Sequence, residues 1–246
     1  MLLSGLVPAL LCAGAPYGHA GTTDVDVQVD LEIASGSVNA ACLGQALLNA
    51  EFRPSGEHGW RWRSTGASEQ IGEVKFELLA DLVEEPGQAP IHFDACDRLG
   101  AVNVRGTGYA ARDKHATTLT AKNGGVLRSV TIEVTGLAGF LIAKAAAFNG
   151  RHHPKDAYDI AYVLLHNDIG GVEAALAEVD RVFPGVGVGE AKTWLRELCA
   201  AFDDEDCPGA LAYAGQMKAD NPAENLDALA ADAHQAVTQF CDHLLP

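Results

Sequence analysis

Acidic or amide residues occupy every even position from Asp24 to Glu32, while Val25, Val27, Val29, Leu31 and Ile33 fill the odd ones. A period of two belongs to a β-strand, whose successive side chains point to opposite faces. This stretch therefore predicts a strand with one acidic and one apolar face. Helical spacing follows between Ala34 and Ala50, carried by Val38, Cys42, Leu43, Ala46 and Leu47. From Glu51 to Ser64, Trp60 and Trp62 interleave with Arg61 and Arg63. That run reads as a hairpin with snorkelling arginines, or alternatively as a surface that stacks on a base or a partner. Glu73 to Asp81 alternates again, with Val74, Phe76 and Leu78 on one face and Lys75, Glu77 and Leu79 on the other.

Glu84 to Arg112 has no period and is punctuated by Pro86, Gly87, Pro90 and Arg105-Gly106-Thr107-Gly108, which predicts loop. Thr117–Thr120 and Val126–Val134 predict two short strands around the turn Lys122-Asn123-Gly124-Gly125. From Gly136 onward the spacing becomes helical. Leu137–Phe148 is an apolar helix, and the next carries Asp156 and Asp159 with Ile160, Val163 and Leu164 on its apolar side. Three further amphipathic helices are expected near Val172–Val182, Glu190–Phe202 and Ala223–Leu245, with Asp203–Asp206 a solvated loop. The predicted class is thus mixed α/β of the α+β kind: a mixed sheet with flanking helices over residues 1–135, then a helical bundle over 136–246.

The 246 residues carry a formal net charge of -16, which argues against a general attraction to nucleic acid or to an anionic membrane. Any polyanion has to meet a local basic patch or a metal, and Arg151, His152, His153 and Lys155 form the densest such patch. The two histidines lack metal-ligand partners at fixed spacing and read as loop residues. Cys12, Cys42, Cys96, Cys199, Cys207 and Cys241 are scattered, without a C-x-x-C pair, so reduced thiols in a cytoplasmic protein are expected. No apolar run approaches a membrane span. Met1–Gly21 has the apolar look of a signal peptide, yet it has no Lys or Arg at its front, and Gly5 and Pro8 interrupt it. A buried loop and helix over Leu2–Leu11, opened by Ser4-Gly5, is the preferred reading, and backbone N–H groups at such an entrance can hold phosphate.

Asp24 and Asp26, two apart on a strand, stand side by side, roughly 6.5–7 Å apart at the backbone. Carboxylates so placed can converge on divalent metal ions, and Gly21-Thr22-Thr23 before them is a small polar loop that a phosphate can approach. An edge strand whose charges discourage aggregation fits the same pattern, and Asp30 and Glu32 belong to that reading. Glu77 adds a third carboxylate if its strand lies beside the first, with Asp81 as the fallback. Lys144, inside an apolar helix, either snorkels to water or is aimed at a phosphate.

Two stretches, L-L-S-G-L-V-P-A-L-L with G-T-T-D-V-D-V, and later K-A-A-A-F-N-G-R-H-H-P-K-D-A-Y-D-I, carry a resemblance. In order, they resemble the small-residue loop with its Asp-x-Asp strand, and the Lys, Arg and Lys-Asp-x-x-Asp signature, of the AbiEii-type nucleotidyltransferase toxin family. That family lies within the DNA polymerase β-like nucleotidyltransferase superfamily. The resemblance implies a nucleotidyltransferase-like sheet half, with the helical half closing the cleft. The implied activity is transfer of a nucleoside monophosphate from an NTP to a hydroxyl acceptor. It implies a two-magnesium site on Asp24, Asp26 and Glu77, with Lys144 meeting the triphosphate. It also implies nucleotide contacts from Ser4, Gly5, Thr22, Arg151, Lys155, Asp156 and Asp159. The implied acceptor is a tRNA, a protein or a small molecule, and a cognate antitoxin is an implied partner. Ser4-Gly5 stands where the family more often has Gly-Gly or Gly-Ser, and Glu77 where Asp is usual. The alternative is therefore a catalytically degenerate nucleotide-binding or interaction protein of the same fold. A secreted acidic protein with a calcium-binding or adhesion surface is the alternative of another class.

Overall fold

Helix α1 (Val7–Leu11) leads into β1 (Asp24–Gln28), α2 (Ser37–Asn49), β2 (Phe52–Pro54), β3 (Arg61–Ser64) and β4 (Lys75–Ala80). There follow β5 (Pro90–His92), β6 (Gly100–Asn103), α3 (Thr107–Arg112), β7 (Lys114–Asn123) and β8 (Val126–Thr135). Helices α4 (Leu137–Arg151), α5 (Pro154–His166), α6 (Gly171–Val182), α7 (Ala191–Ala200), α8 (Pro208–Asp220) and α9 (Leu226–Leu244) complete the chain. The computed structural model describes residues 1–3, 5–22, 24–29, 37–56, 58–65, 73–93, 98–123 and 125–246, without the side chains of residues 37–40 and 123. The protein is mixed α+β, a mixed sheet with helices followed by a helical region from α4 to α9. Its contacts divide it into two units, Met1–Leu6 with Thr22–Thr135 and Val7–Gly21 with Gly136–Pro246. Residues 7–21, expected with the sheet half, thus belong to the helical unit.

In the first unit β4 pairs with three strands: β1 in parallel over Lys75–Leu79, β3 antiparallel over Lys75–Glu77, and β6 in parallel over Leu79–Ala80. A strand has two edges, so β1 takes one and β3 and β6 succeed each other along the other. Alternation then sorts the side chains. Phe76, Leu78 and Ala80 face a core with Trp62, Phe93, Leu99, Ala101 and Leu47, while Lys75 and Glu77 face the other way. Val29 and Phe52 pack against the same core. Helix α2 contributes Leu43, Leu47 and Leu48, whereas Cys42 and Ala46, expected on its apolar face, are exposed. The alternation beyond residue 29 falls outside the described residues.

The tryptophan-arginine run is the hairpin β2–β3, in which Phe52 pairs with Ser64. Trp62 is fully buried, and its indole N–H donates to the Gly59 carbonyl at 2.9 Å. Gly59 has φ +65, and a Cβ there would lie 2.4 Å from the Arg98 carbonyl oxygen, so this turn admits no side chain. Trp62 is therefore core and not a stacking platform.

The segment expected to be loop holds β5, β6 and α3. Asp81 accepts from the Gly106 and Gly108 N–H groups at 3.0 and 2.8 Å, so its carboxylate is spent on the chain entering α3. Strands β7 and β8 are ten residues each, longer than expected, and pair in a hairpin with polar hydroxyl pairs Thr118–Thr131 and Thr120–Ser129 across it. Leu2 bridges Val27 on one side and Val134 on the other, linking the two sheets of this unit.

In the helical unit α5 is buried along most of its length, from Asp156 to Leu164, against α4, α8 and α9. His152 and His153 form the loop before it. His152 ends α4 in the left-handed region at φ 46, and His153 caps α5 by accepting the Lys155 N–H, with Pro154 at the first turn, where no N–H is needed. Helix α8 was not expected from sequence. No helix among the described residues is long and apolar enough to cross a membrane.

Candidate functional site

Two clusters hold the residues singled out by sequence, one in each unit. The first follows from the β1–β4 register, in which Asp24 lies beside Lys75 and Asp26 beside Glu77. Partners in a parallel pair share a face, so Asp24, Asp26, Lys75 and Glu77 stand together opposite the core. Lys75 Nζ reaches Asp24 Oδ1 at 3.2 Å, with the two side chains 34% and 38% exposed. This oxygen is shielded from solvent and accepts no hydrogen bond, so the lysine meets it as a charge without the alignment of a bond. Glu77 is engaged at 2.6 Å by the Arg61 Nε, whose guanidinium also lies 4.4 Å over the Trp60 ring. Thr22 Oγ1 accepts the Asp24 N–H at 3.2 Å and fixes the entry to β1.

Among the described residues no group of three or more His, Cys, Asp or Glu side chains is gathered to hold a metal ion. The expected three-acid set is thus not assembled, and Arg61 already neutralises its third member. Gly5 is buried at the start of the chain, and Ser4 lies outside the described residues.

The second cluster joins α4 to α5. Lys144, 12% exposed, reaches Asp156 Oδ1 at 3.1 Å and Asp159 Oδ2 at 2.8 Å, and both carboxylates are closed to solvent. Arg151 grips Asp156 through two nitrogens at 2.6 and 2.7 Å, and Lys155 reaches Asp159 at 2.8 Å from one turn back on α5. The sequence signature is therefore one network. Burial alone would push the Lys144 pKa down, yet the charges of Asp159 and Asp156 outweigh it and hold the ammonium above its ordinary value. Burial would likewise raise both aspartates. The Arg151 hydrogen bond and the Lys144 charge keep Asp156 below the usual carboxylate range, and Lys144, His19 and Lys155 do the same for Asp159.

Lys144 neither snorkels nor points at an open phosphate position: its charge is consumed by two buried aspartates. Arg151, 59% exposed, and Lys155, 34% exposed, bring the network's positive charge to the surface.

His19 is the member that sequence reasoning missed. Its Nε2 lies 2.9 Å from Asp159 Oδ1, and its ring stacks on Tyr158 at 5.0 Å and meets Tyr162 edge-on at 4.9 Å. The Gly21 N–H donates to Nδ1 at 3.0 Å, which leaves Nε2 to carry the hydrogen given to Asp159. The whole segment is fastened in this way. Asp168 accepts from the Ala13 and Gly14 N–H groups, the Tyr162 hydroxyl donates to the Tyr17 carbonyl, and the Tyr158 hydroxyl accepts the Ala20 N–H. A lone histidine in a Gly- and Pro-rich run offers no periodic signal; its one clue is that it lies two residues before the start of the Gly-Thr-Thr-Asp stretch.

No family model matches this chain, and no curated protein or solved structure matches it either.

Proposed function

We propose that the protein is a magnesium-dependent nucleotidyltransferase that moves a nucleoside monophosphate from an NTP to a hydroxyl acceptor, as the AbiEii-type toxins it resembles would. The observation that carries this reading is the β1–β4 register, which sets Asp24 and Asp26 together on the sheet face turned away from the core. Magnesium is commonly held by one or two carboxylates, with substrate phosphates and water completing its shell, so these two aspartates suit it without a third acid. Bound by them, it would neutralise the polyphosphate and polarise the α-phosphorus. In the transfer the acceptor oxygen bonds to the α-phosphorus while the bond to the pyrophosphate oxygen breaks, and a carboxylate of the pair takes the hydroxyl proton.

In the helical unit Arg151 and Lys155 are assigned to phosphate oxygens, because both reach the surface from a buried anchor. Lys144, with Asp156 and Asp159, holds those two side chains in position. The net charge of -16 favours a protein or small-molecule acceptor over a large RNA. The scattered cysteines, among which the described residues form no disulfide, suit the cytoplasm.

One observation favours the degenerate alternative: Lys75 and Arg61 already neutralise Asp24 and Glu77. Isothermal titration with magnesium and NTP tests the main reading. Binding is expected for the native chain and not for Asp26→Ala, and equal binding by both removes the metal site. Incubation of α-labelled NTP with cell extract then separates the alternatives, since binding without label transfer to RNA, protein or small molecules leaves a nucleotide-binding protein.

A further inference from the structure

Two cysteines that the proposed reaction does not use lie against each other in the helical unit. Cys199 sits in the last turn of α7 and Cys241 in the last turn of α9, two helices that pack against each other. One contact fixes the juxtaposition. The Cys241 thiol donates to the Leu195 carbonyl oxygen at 3.6 Å, and Leu195, four residues before Cys199, lies one turn below it on the same side of α7.

The two sulfurs differ in surroundings. Cys241 is fully buried, whereas Cys199 is partly open to solvent. The Cys241 thiol beside it draws the Cys199 thiol down to about 7 against the opposing effects of burial and of the nearby Asp242 and Asp203, with His234 assisting. Cys241 is shifted the other way, by Cys199 and by burial. One sulfur is thus accessible and nucleophilic near neutral pH, and the other is protonated, shielded and held beside it.

We propose that Cys199 and Cys241 form an oxidisable dithiol, Cys199 being the sulfur that meets a peroxide and Cys241 the one that resolves the product into a disulfide clamping α7 to α9. The Cys199 thiolate attacks one peroxide oxygen, so that an S–O bond forms, the O–O bond breaks, and water leaves once a proton is taken up. The Cys241 sulfur then attacks the Cys199 sulfenic acid: an S–S bond forms, the S–O bond breaks, and the Cys241 proton departs with the hydroxide as a second water. Two thiols lose two electrons and two protons, and one peroxide becomes two waters. The Cys241–Leu195 hydrogen bond, one turn from Cys199, supplies the proximity that distinguishes this pair from the other described cysteines. Nothing in this chemistry depends on nucleotide transfer.

Hydrogen peroxide added in small excess to the full chain at neutral pH, followed by alkylation, digestion and mass spectrometry, tests the proposal. The expected product is a Cys199–Cys241 linked peptide pair and an intact mass lower by about 2 Da, formed before Cys42 or Cys207 is modified. In Cys241→Ser the reaction is expected to stop at a sulfenic acid on Cys199 that dimedone traps. A native chain in which Cys199 proceeds to the sulfinic acid or stays reduced without linking to Cys241, or in which Cys241 links to another cysteine, overturns the assignment. Should the serine variant fail to fold, the peptide map of the native chain decides by itself.

Discussion

On the β1–β4 face Asp24 meets Lys75 with both side chains about a third open to solvent, whereas between α4 and α5 Asp159 meets Lys144 with the carboxylate closed to solvent altogether. The residue types are the same and the energetics are opposite. An exposed pair is screened by water and contributes from nothing to about 1 kcal/mol, so its partners exchange readily for a metal or a ligand. In a buried network, removing one member leaves an uncompensated charge, which typically costs about 3–5 kcal/mol. The sheet face therefore has the character of a place where binding can occur, and the α4–α5 network that of a fastening whose outer cations, Arg151 and Lys155, carry its charge to the surface.

The sharpest way to break this comparison is Asp159→Ala. It leaves Lys144 with one carboxylate instead of two and removes the acceptor of His19 and Lys155. A loss of about 3–5 kcal/mol is expected, read as a lower urea midpoint at unchanged slope. A loss below about 1 kcal/mol would make the buried network as loose as the exposed one.

Acid sharpens the comparison without mutation. Asp156 and Asp159 are both held below the usual carboxylate value in the folded state. Their contribution is complete above the unfolded-state value of about 3.9 and is lost as the pH falls through the depressed folded values. Lys144 has the opposite sign: raised when folded, it contributes fully below about 10.4 and fades only above that. The network thus holds through the neutral range and opens in acid. His166, lowered by burial, adds an earlier loss of stability as the pH drops below about 6.5. Amide exchange across α4 and α5, followed from pH 7 to strong acid, should show protection falling in these two steps.

How far the sequence foretold this depends on whether a residue's role is written in its own neighbourhood. The Asp24–Gln28 strand and the Lys75–Ala80 strand were legible, because a period of two assigns faces without knowing the partner, whereas the neighbour of Glu77, Asp26, follows only from the pairing of the two strands. Strands β5 and β6, at three and four residues, are too short to show a period, and Pro90 and Gly100 look like punctuation. Helix α8 turns Gly209, Ala210, Ala214 and Met217 inward, so small residues blur the contrast between its faces. The order Lys144, Arg151, Lys155, Asp156, Asp159 was visible, but not that the cations would spend themselves on the acids, since that depends on how α4 packs against α5. The membership of residues 7–21 in the helical unit was hidden for the same reason, being fixed by Asp168, Tyr158, Tyr162 and Asp159, more than a hundred residues away.

That membership makes Tyr162→Phe the next test. Losing the hydroxyl deprives the Tyr17 carbonyl of its donor while the ring keeps its packing against His19. A cost of about 1 kcal/mol is expected, together with faster amide exchange confined to the segment around Tyr17. If exchange there does not change, the Tyr162 hydroxyl is not among the groups that fasten the segment.

The smallest effect on stability is expected where the proposed function is most at stake. Asp24→Asn keeps the shape of the side chain and the Asp24 N–H bond to Thr22, and it removes only a charge whose partner, Lys75, has water to turn to. The unfolding free energy should change by less than about 1 kcal/mol, in contrast to Asp159→Ala. Magnesium-dependent NTP binding should nevertheless weaken by about tenfold or more, the scale on which even the outer partners of a metal act. The pairing of the two readouts is what discriminates. A variant that is stable but no longer binds marks the exposed acids as a site that stability does not require. A variant that loses neither property leaves the acidic face as an edge whose charges only keep it solvated, and a variant that loses both makes the Asp24–Lys75 pair a structural tie after all.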